Sequence, residues 1–390
     1  MQINDRVTIR IESIAFGGEG VGRIDNFVVF VPFSASGDEL EIEIIQLKKK
    51  FVRGRILKII KPSPARVKPL CRYYWKCGGC CYQHLNYEYQ LTIKKRQVEE
   101  AFGRIGKIAH PPVSDVIASP GIYNYRGKAQ YHAKFMSNDW EIGFLDIFGG
   151  ELVNIEHCEI MEETINEKMR VLRENNRLKS NKDAQLTIWS GCLPGEPCEK
   201  ESIIRMVKGK IFHVPREGFF QANLYLTDKL VDEVCRLAAT DRINTLIDAY
   251  CGSGLFSVFL SSCAENVIGI EINEKSVNYA RVNAENAGVK NAKFIQGDIE
   301  NVLKGRFLPP GSKIDLIVLD PPRTGCEKTV LKAMVDLQPQ KIIYVSCNPA
   351  TQARDVKYLN ECGYNLQSLL PVDMFPQTEH IEVIGFIERR

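Results

Sequence analysis

What the sequence lacks narrows the possibilities first. No apolar run approaches the roughly 18–20 residues of a membrane span. Met1 to Arg10 carry charges where a secretory signal would be apolar, and no small-residue cleavage site follows. A cytoplasmic protein without a membrane role is expected. There is no internal repeat and no low-complexity segment. A composition that is 44% hydrophobic and 25% charged excludes disorder, collagen or coiled coil as the main character of the chain. The formal net charge is only +3, so the total announces no nucleic-acid partner. A local absence is more telling: residues 44 to 87 contain eleven Lys or Arg and no Asp or Glu, in a chain with 48 acids.

The 390 residues are too many for one average domain. Short strands punctuated by glycine fill the start: Val7-Thr8-Ile9-Arg10-Ile11, Phe27 to Val31, Leu40 to Ile44 and Phe51 to Ile60. Four or five such strands in about 60 residues predict a small OB-like barrel over residues 1–60. A central α+β region with a cysteine cluster is expected over 61–215. It holds a helix from about Tyr87 to Gly103, with its helical segment extending to about 110. It also holds strands such as Ala129 to Phe135 and Leu186 to Trp189, and a charged helix from Met161 to Asn176. From 216 to 390 helices alternate with buried strands: Thr245–Ala249, Val267–Glu271, Lys293–Gln296, Ile314–Leu319 and Lys341–Val345. This predicts a doubly wound α/β sheet. The link between Leu366–Leu370 and Ile381–Glu388 is too short for a crossover helix, so the last pair should be antiparallel. In this the C-terminal part resembles class I methyltransferases.

Asp248-Ala249-Tyr250-Cys251-Gly252-Ser253-Gly254 closes the first strand of that sheet. Gly252 and Gly254 let backbone approach a ligand, but Phe256 and Ser257 stand where a dinucleotide site has its third glycine. Glu271 ends the second strand, where an acid can hold both ribose hydroxyls. Asp298 follows the third strand and Asp320-Pro321-Pro322 the fourth. All lie at carboxyl ends, where ligands bind in this architecture. The reading is S-adenosylmethionine rather than NAD.

Val345-Ser346-Cys347-Asn348-Pro349 ends the fifth strand and presents a thiol at a turn, although a single cysteine is more often a small buried apolar residue. Methylating carbon 5 of uracil requires a thiolate to add at carbon 6, and then a base to remove the carbon 5 proton. Glu382 at the start of the last strand is one carboxylate for that step, and Glu379 competes with it.

Thirteen cysteines in a chain without an export signal point to metal, cluster or catalysis rather than disulfides. Cys71, Cys77 and Cys80 crowd one glycine-rich loop and need a positive centre to hold three thiolates together. Spacing leaves zinc and iron–sulfur equally open, and leaves Cys81 competing with Cys80. Cys192 and Cys198 read as incidental.

The motifs together resemble the 5-methyluridine RNA methyltransferases. They are Phe219-Phe220-Gln221-Ala222-Asn223, Asp248-Ala249-Tyr250-Cys251-Gly252, Asp320-Pro321-Pro322-Arg323, Ser346-Cys347-Asn348-Pro349 and Phe375-Pro376 with His380-Ile381-Glu382. The segment Ile11 to Gly22 resembles the TRAM domain, an RNA-binding barrel. The resemblance implies Cys347 as nucleophile, Glu382 as proton acceptor, and Gln221, Tyr250, Glu271 and Asp320 as S-adenosylmethionine ligands. It also implies Cys158 as the fourth ligand of a [4Fe–4S] cluster, and an RNA substrate, 23S rRNA ahead of tRNA, acted on by a monomer. Arg323 stands where enzymes that methylate exocyclic amines carry an aromatic residue. The alternatives are an RNA cytosine-5 methyltransferase, with Cys326 near the fourth-strand loop, and a non-catalytic iron–sulfur RNA-binding protein.

In the acid-free window Lys48, Lys49, Lys50 and Arg53 would neutralise phosphates. Phe51, Tyr73, Tyr74, Trp75, Tyr82 and Tyr87 interleave as stacking surfaces. Replacing Lys48, Lys49 and Lys50 together by alanine should weaken RNA binding and flatten its salt dependence while sparing cofactor binding. Filter binding at several salt concentrations measures this, and unchanged affinity throughout would refute the assignment.

Overall fold

The structure is a computed structural model and describes residues 2–136, 139–174, 184–191, 202–239, 242–305 and 313–390. Cys192, Cys198 and the end of the expected helix at Asn175 and Asn176 lie outside the described residues. Contacts divide the chain into two units. One holds Met1–Gln97, Ile122–Ile188 and Phe375–His380; the other holds Val98–Gly121, Trp189–Met374 and Ile381–Arg390. No helix among the described residues is long and apolar enough to cross a membrane.

In the first unit β1 (Arg6–Ile14), β2 (Gly20–Ile24), β3 (Phe27–Val31), β4 (Glu39–Leu47) and β5 (Phe51–Lys61) close a barrel in the order β1-β2-β3-β5-β4. Alternation turns Ile9, Ile11, Val29, Val31, Leu40 and Ile42 inward. The glycines taken as punctuation around residue 20 are in fact inside β2. A Cβ at Gly22 would stand 2.5 Å from the Arg10 carbonyl oxygen, so glycine is needed for the close approach of β1. That need removed the side chains whose alternation would have revealed the strand.

The barrel is tied to the cysteine segment by a buried ion pair. Arg66 Nη2 donates to Asp38 Oδ2 at 2.7 Å and to the Phe33 carbonyl at 2.9 Å. Helix α1 (Tyr87–Arg104) then stops short of residue 110, where Gly106 folds back to the Ala101 carbonyl. Strands β6 (Lys128–Met136), β7 (Asp139–Leu145), β8 (Leu152–Asn154) and, after α2 (Glu163–Glu174), β9 (Ala184–Trp189) form a sheet ordered β8-β7-β6-β9. Ile165 and Met169 of α2 pack on its core with Tyr131 and Trp140.

The second unit opens with the hairpin β10 (Ser202–Val207) and β11 (Lys210–Pro215). The expected boundary near 215 leaves these residues in the central region. It groups instead with the large sheet, because His213 N donates to Asn283 Oδ1 at 2.7 Å and Asn283 Nδ2 returns a bond to the His213 carbonyl. There follow α3 (Thr227–Ala238), β12 (Ile243–Ala249), α4 (Leu255–Leu260), β13 (Ala264–Glu271), α5 (Glu274–Asn286), β14 (Ala292–Gln296) and α6 (Ile299–Lys304). The rest is β15 (Leu316–Leu319), α7 (Lys328–Asp336), β16 (Lys341–Ser346), α8 (Pro349–Glu361), β17 (Tyr364–Val372) and β18 (Glu382–Arg389).

The sheet runs β14-β13-β12-β15-β16-β18-β17, parallel as far as β16. β18 pairs antiparallel with both β16 and β17, as the short connection requires. Ile247, Ile270, Ile317, Ile342 and Tyr344 fill its core. Val98 and Phe102 from the second half of α1 join that core, which is why residues 98–121 group with this unit.

Candidate active site

The carboxyl ends of the parallel strands gather the predicted residues. After β12 the chain turns sharply, with Tyr250 at φ 65°, Gly252 at φ 53° and Gly254 at φ 84°. A left-handed tyrosine is a strained choice of the kind found at ligand sites. Glu271, at the end of β13, accepts from Gly252 N at 3.2 Å and from Asn273 N at 2.8 Å, bracing the turn against the next strand. Asp298 caps α6 through Asn301 N at 3.0 Å and is otherwise exposed. Gln221 is buried and donates through Nε2 to Asp320 Oδ2 at 3.3 Å.

Asp248 is fully buried and accepts from Ser257 Oγ at 2.5 Å. Its other oxygen, the Ser253 hydroxyl and Glu382 Oε1 have no hydrogen-bond partner among the described residues. Orphaned buried polar atoms are costly, and these suit a polar ligand.

Cys347 and Glu382 meet through strand register. The antiparallel ladder ends with Ser346 opposite Val383, one residue before Cys347 on one strand and one after Glu382 on the other, and the Glu382 carboxylate is among the charges that raise the Cys347 thiol. Glu382 is only 4% exposed, a desolvated carboxylate rather than a surface charge on the strand. Glu379, the competing carboxylate, belongs to the other unit and accepts from Cys81 Sγ at 3.3 Å. Cys326 is buried with its thiol in hydrogen-bonding reach of the Tyr344 and Tyr250 hydroxyls, a packed role rather than that of an exposed nucleophile.

The electrostatics favour a cationic ligand. Burial and then the neighbouring Asp248 carboxylate push Asp320 up to about 7, and burial does the same to Asp248. Glu382 is driven well above its ordinary range, by burial first and then by Asp320, with Arg323 opposing. Burial and Glu382 push the Cys347 thiol up to about 11, again opposed by Arg323. Asp248 and Arg323 stand within the sequence motifs but had been given no role. Their residue types gave no signal beyond the motif itself.

In the other unit the four expected cluster ligands, Cys71, Cys77, Cys80 and Cys158, line one cavity of about 270 Å³. Cys81 is not among its lining residues, since its thiol turns to Glu379. Desolvation pushes the Cys158 thiol up to about 12 and raises that of Cys80 well above its ordinary value. Among the described residues no group of three or more His, Cys, Asp or Glu side chains is arranged to hold a metal ion.

The basic window divides on folding. Lys48, Lys49 and Lys50 form an exposed turn between β4 and β5. Arg53 is paired with Glu19 at 3.0 Å, and Arg55, Arg66 and Arg72 with Glu43, Asp38 and Glu156. Tyr74 and Tyr82, read as stacking surfaces, are core residues, and the Tyr74 hydroxyl lies 2.6 Å from His84 Nδ1. Trp75 is exposed.

A small barrel joined to a seven-stranded sheet with an antiparallel end and an acid-lined glycine turn defines a methyltransferase with an appended RNA-binding module. Residues 200–390 match the family model described as tRNA (Uracil-5-)-methyltransferase, and residues 2–57 match that of the TRAM domain. The chain is 32% identical to an uncharacterized RNA methyltransferase of Clostridium acetobutylicum, over 99% of this chain and 97% of the relative. It is 32% identical to another of Caldanaerobacter subterraneus subsp. tengcongensis, over 100% and 99%. Its fold is similar to that of Pyrococcus abyssi tRNA (uracil-54, C5)-methyltransferase, solved with S-adenosyl-L-homocysteine. The TM-score is 0.72 and the identity 26%, over 97% of this chain and 99% of that one. The chain belongs to the S-adenosylmethionine-dependent RNA uracil-5 methyltransferase family and is an enzyme of that class, with RNA as its substrate.

Because Asp248 and Asp320 sit near 7 in the folded protein against an ordinary 3.8, the folded state holds their protons. The stability they contribute is full below about 4 and is lost as pH rises through about 7. Asp320→Asn, which mimics the protonated acid, should therefore gain melting temperature relative to the unaltered cofactor-free protein as pH rises from 5 to 8. A constant difference across that range would contradict the buried protonated carboxyl.

Proposed function

We propose that the enzyme methylates carbon 5 of a uridine in RNA through a covalent intermediate on Cys347, with Glu382 as the base. The end of the ladder beside Cys347 and Glu382, with Glu382 and Asp320 both acting on the Cys347 thiol, carries this reading. Carbon 5 of uracil is too weak a nucleophile to take a methyl group directly. The Cys347 thiolate bonds to carbon 6, and the electron pair of the 5,6 double bond moves into an enolate that makes carbon 5 nucleophilic. When bound, S-adenosylmethionine supplies the methyl group and departs as S-adenosylhomocysteine. The Glu382 carboxylate then takes the carbon 5 proton, the 5,6 double bond re-forms and the thiolate leaves. Arg323 draws both the thiol and the Glu382 carboxyl down in pKa, and a cationic cofactor acts in the same direction. Gln221, Tyr250, Gly252, Gly254, Glu271, Asp298 and Asp320 are the residues we assign to that cofactor. The target base must leave its stack to reach the cleft.

RNA carrying 5-fluorouridine should trap the enzyme through Cys347, because fluorine cannot be removed as a proton. Cys347→Ala should not trap, and Glu382→Gln should accumulate adduct on ordinary RNA. Trapping by Cys347→Ala, read on denaturing gels, would refute the mechanism. The reading keeps 23S rRNA ahead of tRNA. The Pyrococcus abyssi relative, named for uracil 54 of tRNA, makes tRNA the substrate to test beside it by nucleoside mapping of both RNAs from a deletion strain.

We also propose that Cys71, Cys77, Cys80 and Cys158 hold a [4Fe–4S] cluster. Four thiols lining one cavity, each pushed up by desolvation, need a positive centre to become thiolates. Its remoteness in sequence from Cys347 assigns it to the fold and RNA contacts rather than to redox chemistry. Anaerobically purified protein should contain about four iron and four sulfide per chain, lost in Cys158→Ser. One zinc per chain would overturn the cluster.

A further inference from the structure

Helix α8 begins two residues after Cys347, and its first turns are bonded to the loop that follows Asp320. Asn348 Nδ2 and Thr351 Oγ1 donate to the Arg323 carbonyl at 3.0 and 3.2 Å. Arg354 Nη2 donates to the Thr324 and Cys326 carbonyls at 3.0 and 3.1 Å. Asp355 is 1% exposed, and its Oδ2 accepts from Cys326 N at 2.8 Å and from the Tyr344 hydroxyl at 2.7 Å. Its Oδ1 accepts from Arg354 Nε at 2.8 Å. The loop can come this close because residue 325 is glycine, at φ 74°. A Cβ there would stand 2.6 Å from Asp355 Oδ2.

One carboxylate thus joins the loop after β15, strand β16 and helix α8. The Cys326 thiol, in reach of the Tyr344 and Tyr250 hydroxyls, extends the same network to the cofactor turn.

We propose that Asp355 is a positioning residue, which fixes the loop carrying Arg323 to the helix behind Cys347. The inference rests on Cys347 being the nucleophile. A buried carboxylate with several donors resists displacement, since moving it would leave those donors unpaired in the core. Held this way, the guanidinium that lowers the thiol's pKa keeps its distance from sulfur without relying on an exposed side-chain pair. The cost of losing such placement falls on the chemical step, because a shift of about 1 Å in a reacting group costs roughly a hundred-fold in rate.

The test is Asp355→Asn in the full-length enzyme, with three measurements. The rate of adduct formation with 5-fluorouridine RNA and saturating S-adenosylmethionine should fall by about ten- to a hundred-fold. Affinity for S-adenosylhomocysteine, measured by calorimetry, should stay as in the unaltered enzyme. The pH midpoint for iodoacetamide alkylation of Cys347, followed by peptide mass spectrometry, should move up as Arg323 loosens. If Asp355→Asn does not fold, Arg354→Lys, which loses the two bonds to the loop carbonyls, is read in the same way. An unaltered rate and midpoint, or cofactor affinity lost in step with the rate, would overturn the proposal. Cys347→Ala, run in parallel, separates the two levels. Trapping by that variant defeats the nucleophile assignment, whereas its silence beside an unaltered Asp355→Asn defeats the positioning role alone.

Discussion

The antiparallel insertion of β18 between β16 and β17 is the constraint on which the site depends. A parallel sheet delivers every strand's carboxyl end to one edge, so five parallel strands can offer acids and a thiol there. A sixth parallel strand would place its first residue at the opposite edge. Because β18 runs the other way, its first residue, Glu382, falls at the edge where β16 ends. The carboxylate reaches Cys347 by topology rather than by a flexible loop. The ladder bonds around it hold that position.

The cleft so formed is short of positive charge. Asp248, Asp320 and Glu382 are desolvated together, and each makes the next harder to ionise. Arg323 is the guanidinium that opposes them at both Cys347 and Glu382. A site built this way gains from a cationic ligand, which fits a sulfonium cofactor. The loop that carries Arg323 is correspondingly bonded down at several points.

The first unit answers a different requirement. It must present basic side chains without flying apart, and it does so by pairing four of its arginines with acids drawn from outside the basic window. The Asp38–Arg66 pair is the buried one, and removing one partner of such a pair costs about 3–5 kcal/mol. The exposed pairs cost little to open. The unit therefore has a fixed ionic joint between barrel and cysteine segment, while its other ion pairs lie nearer the surface.

The sequence by itself determined what local patterns carry. Apolar alternation marked four barrel strands, the short link before Ile381 required an antiparallel end, and the acids at strand ends with Cys347 at a turn marked the reactive edge. It did not reveal β2, whose glycines serve a neighbour's backbone rather than their own strand. It also could not show that Tyr74 and Tyr82 are core, since an aromatic beside lysines looks the same whether it faces water or a buried histidine. Glu382 over Glu379 was likewise a tertiary decision. Three residues apart in the chain, they go to different units, one at the head of β18 and the other against Cys81. The network on Asp355 was invisible for the same reason, because it joins three segments whose nearness exists only once the sheet is built. Periodicity and turn chemistry act over a few residues and can be read in order along the chain. Which acid is desolvated, and beside what, depends on residues far apart in sequence and is fixed only by packing.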